Sequence, residues 1–285
     1  MAPTADVHDR VWLITGASAG FGRALAQEVL QRGGRAIATA RDPSSLAALA
    51  AAGSERLLAL ALDVTQPRQI DRAVVSGAAH FGRIDVLVNN AGYGFLSGLE
   101  EGTDEEARAQ FDVNFFGTVS MTRAVLPLMR RERSGHIVNF SSSAGVFGVA
   151  GSAYYCATKF AVEGLSECLA REVSGFGIGV TIVEPGPFRT DFFGRSLALP
   201  AHPIADYSAL ADMRRQLGAA QGQQPGDPAR GAAAIIDAVT SPSPPLRLVL
   251  GRGAHERIRR ALALRLEQVD ACREVAASAD FPELP

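Results

Sequence analysis

The sequence has almost no lysine. Of its 285 residues 28 are basic, and only Lys159 among them is a lysine. Cysteine is scarce too: there are three, and none has the short paired spacing of a metal ligand set. An odd number of widely spaced cysteines predicts neither a disulfide framework nor a metal centre, and favours a reducing compartment.

Charge of one sign and long apolar runs are also missing. The net charge is -2, which gives no sign of a polyanionic partner such as nucleic acid. No run approaches the roughly 18 apolar residues of a membrane helix, and Asp6, His8 and Asp9 stand where a signal peptide would be apolar. These absences predict a cytoplasmic protein that binds neither nucleic acid nor membrane.

What the sequence has is a regular alternation of short apolar runs and helix-length stretches. The predicted strands are residues 11–15, 35–39, 57–62, 84–88, 136–140, 179–183 and 246–250. The predicted helices are residues 21–32, 44–52, 70–81, 104–129, 154–174 and 229–239, with a further helix at 256–275. This order predicts an α/β fold, a doubly wound parallel sheet of about seven strands with helices on both faces.

The chain contains no linker long enough to separate two domains. Residues 1–9 are expected to be a loose tail, and residues 10–285 a single domain. Residues 186–228 look irregular and are rich in proline and glycine, which favours a substrate loop or lid over a plain surface insertion. Residues 252–285 are expected to form a C-terminal helix and tail.

A glycine-rich turn follows the first predicted strand and leads into the first helix. Gly16 permits a tight turn, and Gly20 and Gly22 allow the backbone to approach a pyrophosphate at the helix N-terminus. An ordinary glycine turn is the alternative, but the position within a βαβ series favours dinucleotide binding.

The end of the second strand bears on the choice of cofactor. Ala40 occupies the place where NAD-binding folds put an acid for the ribose hydroxyls, and Arg41 follows it. An arginine there favours NADP(H), because it can bind the 2′-phosphate. Asp42 leaves NAD(H) possible, since a shift of one residue would restore the acid; alternatively, it caps the next helix.

At this point the chain resembles the short-chain dehydrogenase/reductase (SDR) family, over residues 9–251. The resemblance rests on motifs in their expected order: residues 15–22, Asp63-Val64, Asn89-Asn90-Ala91-Gly92, Asn114, Ser142, Tyr155 with Lys159, and Pro185-Gly186. The stretches at 93–94 and 184–192 are similar to the branch that includes 17β-hydroxysteroid and retinol dehydrogenases.

The resemblance implies a single-domain Rossmann fold and a homodimer or homotetramer, formed through helices 104–129 and 154–174. It also implies a set of cofactor-binding residues: Gly16, Ser18, Gly20, Phe21, Gly22, Arg41, Asp63, Val64, Asn90, Ala91, Gly92, Tyr155, Lys159, Pro185, Gly186 and Thr190. Phe21 departs from the usual aliphatic residue, but its backbone N–H is expected to serve equally well.

Tyr155 and Lys159 form the core of the predicted catalytic site. They are four residues apart in a helix and therefore share one face, whereas Tyr154 has Thr158 at that spacing. A nearby ammonium is expected to lower the pKa of the phenol, which makes Tyr155 the general acid/base. A solvent-facing pair is the alternative, and the retention of the single lysine at this position favours catalysis.

Two further catalytic residues are predicted. Ser142 lies at the end of the fifth strand, where its hydroxyl can donate to a substrate oxygen. The family pattern selects it over its neighbours Ser141 and Ser143 by its spacing to Tyr155. The family resemblance assigns Asn114 a water that relays protons past the lysine. A polar core asparagine is the alternative.

Apolar residues near these positions predict a hydrophobic alcohol, ketone or aldehyde as the substrate. The expected pocket residues, besides Ser142, are Phe95, Val146, Phe147, Phe188 and Phe192. The sequence thus predicts an oxidoreductase that moves a hydride between NADP(H) and such a substrate. A non-catalytic NADP-binding scaffold is the main alternative, and a sugar-nucleotide epimerase or dehydratase fits less well.

Overall fold

The computed structural model describes residues 7–281, and within them seven parallel strands form one twisted sheet. These strands are β1 (Val11–Ile14), β2 (Arg35–Ala40), β3 (Leu57–Ala61), β4 (Val86–Asn89), β6 (Gly135–Phe140), β7 (Ile178–Pro185) and β9 (Arg247–Leu250). Two short strands, β5 (Gly94–Phe95) and β8 (Leu197–Ala198), pair with each other outside this sheet. The strand order is β3-β2-β1-β4-β6-β7-β9. It changes direction between β1 and β4, where doubly wound folds bind their ligands.

Helices cover both faces of the sheet. They are α1 (Gly20–Gln31), α2 (Ala47–Gly53), α3 (Pro67–Phe81), α4 (Asp104–Phe111), α5 (Gly117–Glu132), α6 (Ala153–Val173), α7 (Ser208–Ala219), α8 (Pro228–Thr240), α9 (Arg252–Ala271) and α10 (Arg273–Ser278). In β1, Trp12 and Ile14 pack into one core cluster with α1 and α8, while Val11 and Leu13 pack into the other with α3, α5 and α6. Alternating side chains are thus buried on both faces, which confirms the predicted α/β Rossmann architecture.

The helix predicted at 104–129 is interrupted. Between α4 and α5 the chain forms a wider π-helical turn, Asp112–Phe116, and α5 continues beyond residue 129 to Glu132. Such turns insert one residue into the helical repeat and are frequent at functional sites.

The prediction that residues 186–228 are irregular is wrong for residues 208–219, which form α7. No residue of α7 is fully buried, so the stripe of apolar residues that marks a core helix is missing. Likewise, the C-terminal helix begins earlier than predicted and divides into α9 and α10 at Cys272.

The two chain ends differ in how far they can be described. Of the tail predicted for residues 1–9, residues 1–6 lie outside the described range, but Val7–Asp9 form a 3-10 turn and Val7 is buried in the core. No helix within residues 7–281 has both the length and the apolar composition to cross a lipid bilayer.

Candidate active site

A cleft of about 970 Å³ opens where the carboxyl ends of the central strands meet. Every residue of the predicted cofactor set except Gly22 lines it, and so do Ser142, Phe95, Phe188 and Phe192. The carboxyl edge of a doubly wound sheet is where these folds bind nucleotides. The topology therefore brings residues from seven separate stretches of the chain to one site.

The glycine-rich turn is held against the end of β4. The Thr15 hydroxyl donates to the carbonyl of Val88 (3.2 Å) and accepts from the backbone N–H groups of Asn90 and Ala91 (3.0 Å each). The Asn90 side-chain amide donates to the carbonyls of Thr15 (2.8 Å) and Gly16 (3.1 Å). These hydrogen bonds fix the shape of the glycine-rich turn, so the Asn90 side chain stabilises that turn.

Two positions of this turn require glycine because of the backbone geometry. Gly16 adopts a left-handed conformation with φ of 68°. Gly22 lies outside the cleft lining, but a Cβ there would be 2.3 Å from the carbonyl oxygen of Gly16. Gly22 therefore allows α1 to pack closely under the turn and does not itself contact the cleft.

At the end of β2 the side chains have different environments. Ala40 and Arg41 line the cleft. Asp42 is not part of that lining: its carboxylate accepts from the backbone N–H (2.9 Å) and hydroxyl (2.8 Å) of Ser44, and so caps the following 3-10 turn. These bonds lower the pKa of the Asp42 carboxyl.

The next strand end presents Asp63 and Val64. The Asp63 carboxylate accepts from the backbone N–H (2.9 Å) and hydroxyl (2.7 Å) of Thr65, which fixes the turn after β3. Val64 packs against Gly117 so closely that a Cβ on that glycine would be 2.6 Å from it. Asp63 and Val64 thus line the cleft and are both held in place by these contacts.

Tyr155, Lys159 and Ser142 converge at the middle of the cleft. Tyr155 and Lys159 lie one turn apart near the start of α6, and the Lys159 ammonium is 5.8 Å from the centre of the Tyr155 ring. The Lys159 Nζ donates to the carbonyl of Phe140 at 2.7 Å. Ser142 accepts from the backbone N–H of Ala144 at 3.1 Å, and its hydroxyl interacts with the Tyr155 phenol.

Burial determines the protonation of Tyr155 and Lys159. It raises the pKa of Tyr155 to about 12, an effect that the Ser142 hydroxyl only partly opposes. It lowers the pKa of Lys159 to about 8, and Glu163 opposes that shift. The expected lowering of the Tyr155 pKa by the ammonium is therefore wrong for the protein alone, because desolvation outweighs it. At neutral pH Tyr155 carries its proton and most of Lys159 is charged.

Asn114 lies in the π-helical turn and is fully buried. Its amide oxygen accepts from the backbone N–H of Tyr93 (3.0 Å), and its amide nitrogen donates to the Tyr93 carbonyl (2.9 Å) and the Thr158 hydroxyl (3.3 Å). The side chain therefore ties the segment after β4 to α6 and does not line the cleft. The assigned proton relay stays a prediction.

The loop after β7 closes over the glycine-rich turn. Pro185 and Gly186 line the cleft, and the Gly186 N–H donates to the carbonyl of Leu250 at 2.9 Å. A Cβ at Gly20 would be 3.3 Å from the Thr190 side chain. Further along, Arg195 donates to the Ser18 carbonyl at 3.4 Å and also lines the cleft, although no motif in the sequence singles it out.

The apolar end of the cleft contains some of the predicted pocket residues. The Phe192 ring is 5.5 Å from the Tyr155 ring, and Phe95 is 5.9 Å from Tyr154. Phe188 packs against Phe21 at 4.7 Å, on the cofactor side of the cleft. The apolar residues around the phenol thus come mainly from the loops after β4 and β7.

Val146 and Phe147 do not line the cleft. The Val146 carbonyl accepts from Arg265 (2.6 Å), and the guanidinium of Arg257 lies 5.8 Å from the centre of the Phe147 ring. Both residues therefore contact α9. The sequence missed Met213 and Leu217 of α7, which line the cleft in their place. They were missed because their segment looked irregular.

A buried ion pair attaches α7 to the rest of the protein. Arg214 donates to the Leu96 carbonyl (3.1 Å) and pairs with both oxygens of Glu101, whose side chain is fully buried. Glu101 also accepts from the backbone N–H groups of Gly98 (2.7 Å) and Ile204 (3.1 Å). These contacts, led by Arg214, lower the pKa of Glu101 to about 2.

Comparison with known proteins identifies the family of this chain. The family model for short chain dehydrogenase matches residues 10–198. The chain is 40% identical to 3-ketodihydrosphingosine reductase from Bacteroides thetaiotaomicron, over 85% of this chain and 88% of that protein. It is 38% identical to human retinol dehydrogenase 8, over 84% of this chain and 80% of that protein.

The solved structures to which the chain is similar are also short-chain dehydrogenases or oxidoreductases. A short-chain dehydrogenase from Streptomyces avermitilis is 44% identical, with a TM-score of 0.89 over 95% of this chain and 99% of that one. A short-chain dehydrogenase/reductase from Burkholderia phymatum, solved with NAD, is 26% identical with a TM-score of 0.81 over 92% and 94%. A metagenomic short-chain oxidoreductase solved with NADP is 29% identical with a TM-score of 0.66 over 85% and 96%. The chain belongs to the short-chain dehydrogenase family of oxidoreductases, whose Rossmann fold binds a nicotinamide cofactor.

Proposed function

We propose that this protein is an NADP(H)-dependent oxidoreductase that interconverts a hydrophobic alcohol and its ketone or aldehyde. The observation that carries the proposal is the convergence of Ser142, Tyr155 and Lys159 at the centre of the cleft, between the glycine-rich turn and a group of apolar side chains. A scaffold that only bound the cofactor would have no use for a half-buried phenol held beside a lysine and a serine.

The cleft fits a dinucleotide. A side chain at Gly16 would be 3.0 Å from the Ala91 backbone, and one at Gly22 would collide with the turn. The glycine-rich turn can therefore keep this shape only because both residues are glycine. The turn and the N-terminus of α1 would hold the pyrophosphate, Asp63 and Val64 the adenine, and Pro185, Gly186 and Thr190 the nicotinamide end. When bound, the cofactor supplies or accepts the hydride.

Tyr155 exchanges the proton that accompanies the hydride. In the direction of reduction, its hydroxyl donates to the substrate oxygen as negative charge develops there. The Ser142 hydroxyl donates to the same oxygen and stabilises that charge. Lys159, whose ammonium lies beside the Tyr155 ring, stabilises the phenolate that remains. Oxidation uses the same groups in reverse.

Arg41 and Asp42 provide a test of the cofactor. Titration of nicotinamide fluorescence should show that NADPH binds more tightly than NADH, and that Arg41→Ala weakens only NADPH binding, by about tenfold to a hundredfold, as expected for lost charge-assisted hydrogen bonds. Asp42→Asn should leave the preference unchanged, because Asp42 caps a turn. NADH binding that is as strong as NADPH binding and is lost in Asp42→Asn would show that the acid binds the ribose. Failure of both cofactors to bind would contradict the proposed function and the NADP-binding scaffold alike.

The apolar end of the cleft supports a hydrophobic substrate. Phe95, Phe192, Met213 and Leu217 surround the region beside Tyr155, and two relatives are named for apolar substrates, retinol and ketodihydrosphingosine. We expect kcat/KM for aryl, steroid or long-chain ketones to exceed that for small sugars by about tenfold or more, since each buried methylene contributes about 0.8 kcal/mol. A panel in which sugars are better substrates would contradict this proposal.

We also propose that the enzyme forms a homodimer or homotetramer through α4, α5 and α6. Two large apolar side chains on these helices and the π turn between them are exposed, Phe116 at 53% and Phe160 at 38%. Burial of such residues between subunits is favourable.

A further inference from the structure

Two buried carboxylates lie behind the catalytic residues, and the proposed mechanism does not use them. Glu163 is one helical turn after Lys159 on α6, and Glu184 is the penultimate residue of β7, immediately before Pro185. The residues are 8% and 1% exposed. Carboxylates are almost never buried so deeply without a partner, so these two require an explanation.

Their partner is one arginine from the neighbouring strand. Arg247 on β9 lies 3.2 Å from Glu184 and 3.5 Å from Glu163, and it also pairs with Glu167 at the surface. One guanidinium therefore serves three carboxylates. One oxygen of Glu163 has no hydrogen-bond partner among the described residues. The Glu184 oxygen that faces Arg247 forms an ion pair with it but no hydrogen bond. The buried pair is thus less fully compensated than a structural ion pair would be.

The packing connects Glu163 directly to the active site. A Cβ at Gly145 would be 2.4 Å from the Ser141 hydroxyl, 3.1 Å from the Lys159 carbonyl and 3.2 Å from the Glu163 side chain. The turn that begins at Ser142 is therefore pressed against the part of α6 that carries Lys159 and Glu163.

We propose that Glu163 is a positioning residue of the active site: its carboxylate, held by Arg247, keeps Lys159 in the charged form that proton transfer at Tyr155 needs. This inference rests on the proposed function, and it adds the source of the charge on Lys159. Glu184 acts on Glu163 from the next strand and shares the same arginine.

The charges around Glu163 agree with this role. Arg247 from β9, Glu167 from α6 and the Ser141 hydroxyl act on it, and it acts in turn on Lys159 of α6 and Glu184 of β7. Burial lowers the pKa of Lys159, and Glu163 is the charged group that opposes the change. Burial also raises the pKa of Glu163, and that of Glu184 to about 7.

The single lysine makes a direct test possible. In protein labelled with [13C]lysine, every lysine signal arises from Lys159, so its titration can be followed by NMR without cofactor or substrate. We expect the midpoint to fall by about one pH unit in Glu163→Gln, as for removal of a neighbouring opposite charge. At the wild-type midpoint, the charged fraction would then fall from about half to about a tenth.

Glu167→Gln is the matched control, because Glu167 is one turn further along α6 and pairs with the same arginine at the surface. Its midpoint should equal that of the wild type. Glu163→Asp, which withdraws the carboxylate by one methylene, should fall between the wild type and Glu163→Gln. If Glu163→Gln does not fold, Glu163→Asp still tests the proposal, because the Lys159 midpoint in Glu163→Asp must be below the wild-type value.

Equal midpoints in folded wild type and Glu163→Gln would overturn the proposal, and so would an unchanged midpoint in Glu163→Asp if only that variant folds. The alkaline limb of the kcat/KM profile for carbonyl reduction should move to lower pH in the same order. The NMR result does not depend on turnover. A shifted lysine without activity would therefore reject the proposed function alone, and activity with an unshifted lysine would reject this inference alone.

Discussion

Replacing Tyr155 with phenylalanine is expected to reduce kcat/KM for carbonyl reduction by about 10²- to 10⁴-fold. The substitution removes the hydroxyl that donates the proton and leaves the ring, which packs 5.5 Å from Phe192, in place. NADPH should bind to the variant with nearly unchanged affinity, because the glycine-rich turn is untouched. Steady-state kinetics and the nicotinamide fluorescence titration together measure both quantities.

Tyr154 provides the matched control. It precedes Tyr155 in α6, and its hydroxyl donates to the Leu99 carbonyl at 2.7 Å, which places it outside the proton-transfer group. Tyr154→Phe should keep most of the activity and lose about 1 kcal/mol of stability, the usual contribution of one hydrogen bond. If Tyr155→Phe were as active as Tyr154→Phe, the proposed acid/base would be wrong. If neither variant nor the wild type turned over substrate, the scaffold would be favoured.

The pKa values of the site predict how reduction depends on pH. With a pKa of about 12, Tyr155 holds its proton throughout the ordinary pH range, so it can act as donor without titrating. Lys159, with a pKa of about 8, is the group that changes charge. We therefore expect reduction to slow as the pH rises through about 8 in the free enzyme, because the ammonium that stabilises the phenolate is lost.

The sequence predicted the architecture well because the strands are buried on both faces. Runs such as β1 are apolar at every position, and the helices between them carry clear periodic stripes. The glycine-rich turn and the pairing of Tyr155 with Lys159 depend on spacing within single elements, so they too were accessible from the sequence. Features of this kind depend only on residues that are close together in the sequence.

Features that depend on contacts between distant segments were not accessible. Val146 and Phe147 face α9 because Arg257 and Arg265 contact them, and no local pattern contains that information. The pKa of Tyr155 depends on burial by several loops, and the sequence argument included only the neighbouring lysine. Helix α7 was missed because none of its residues is fully buried, so it lacks the apolar stripe of a core helix, and because its Arg214 pairs with Glu101 from a distant segment.

Breaking that docking should produce the largest change in stability. Glu101→Gln leaves the Arg214 guanidinium, whose side chain is only 10% exposed, without its counter-charge. Loss of one partner of a buried ion pair costs about 3–5 kcal/mol. Thermal unfolding should show the loss. Proteolysis within residues 186–228 should accelerate, and KM for hydrophobic substrates should rise because α7 carries Met213 and Leu217.

Glu100→Gln is the control for this experiment, since Glu100 is the adjacent acid and accepts an exposed hydrogen bond from Tyr207 at 3.0 Å. Its stability should change by less than about 1 kcal/mol. The pH dependence separates the two acids further. The folded-state pKa of Glu101 is about 2, below its ordinary value of 4.5. Its stabilisation is therefore complete above about pH 4.5 and is lost as the pH falls towards 2, and Glu101→Gln should lack this acid transition.

A double variant decides whether the charge itself matters. Glu101→Gln combined with Arg214→Met removes both members of the pair, and an apolar replacement of a buried pair is often neutral or stabilising. The double variant should therefore be more stable than Glu101→Gln alone, although both lack the carboxylate that accepts from Gly98 and Ile204. If it were less stable by the sum of the two single losses, Arg214 and Glu101 would be acting independently. The attachment of α7 would then have to come from its apolar contacts with the cleft instead.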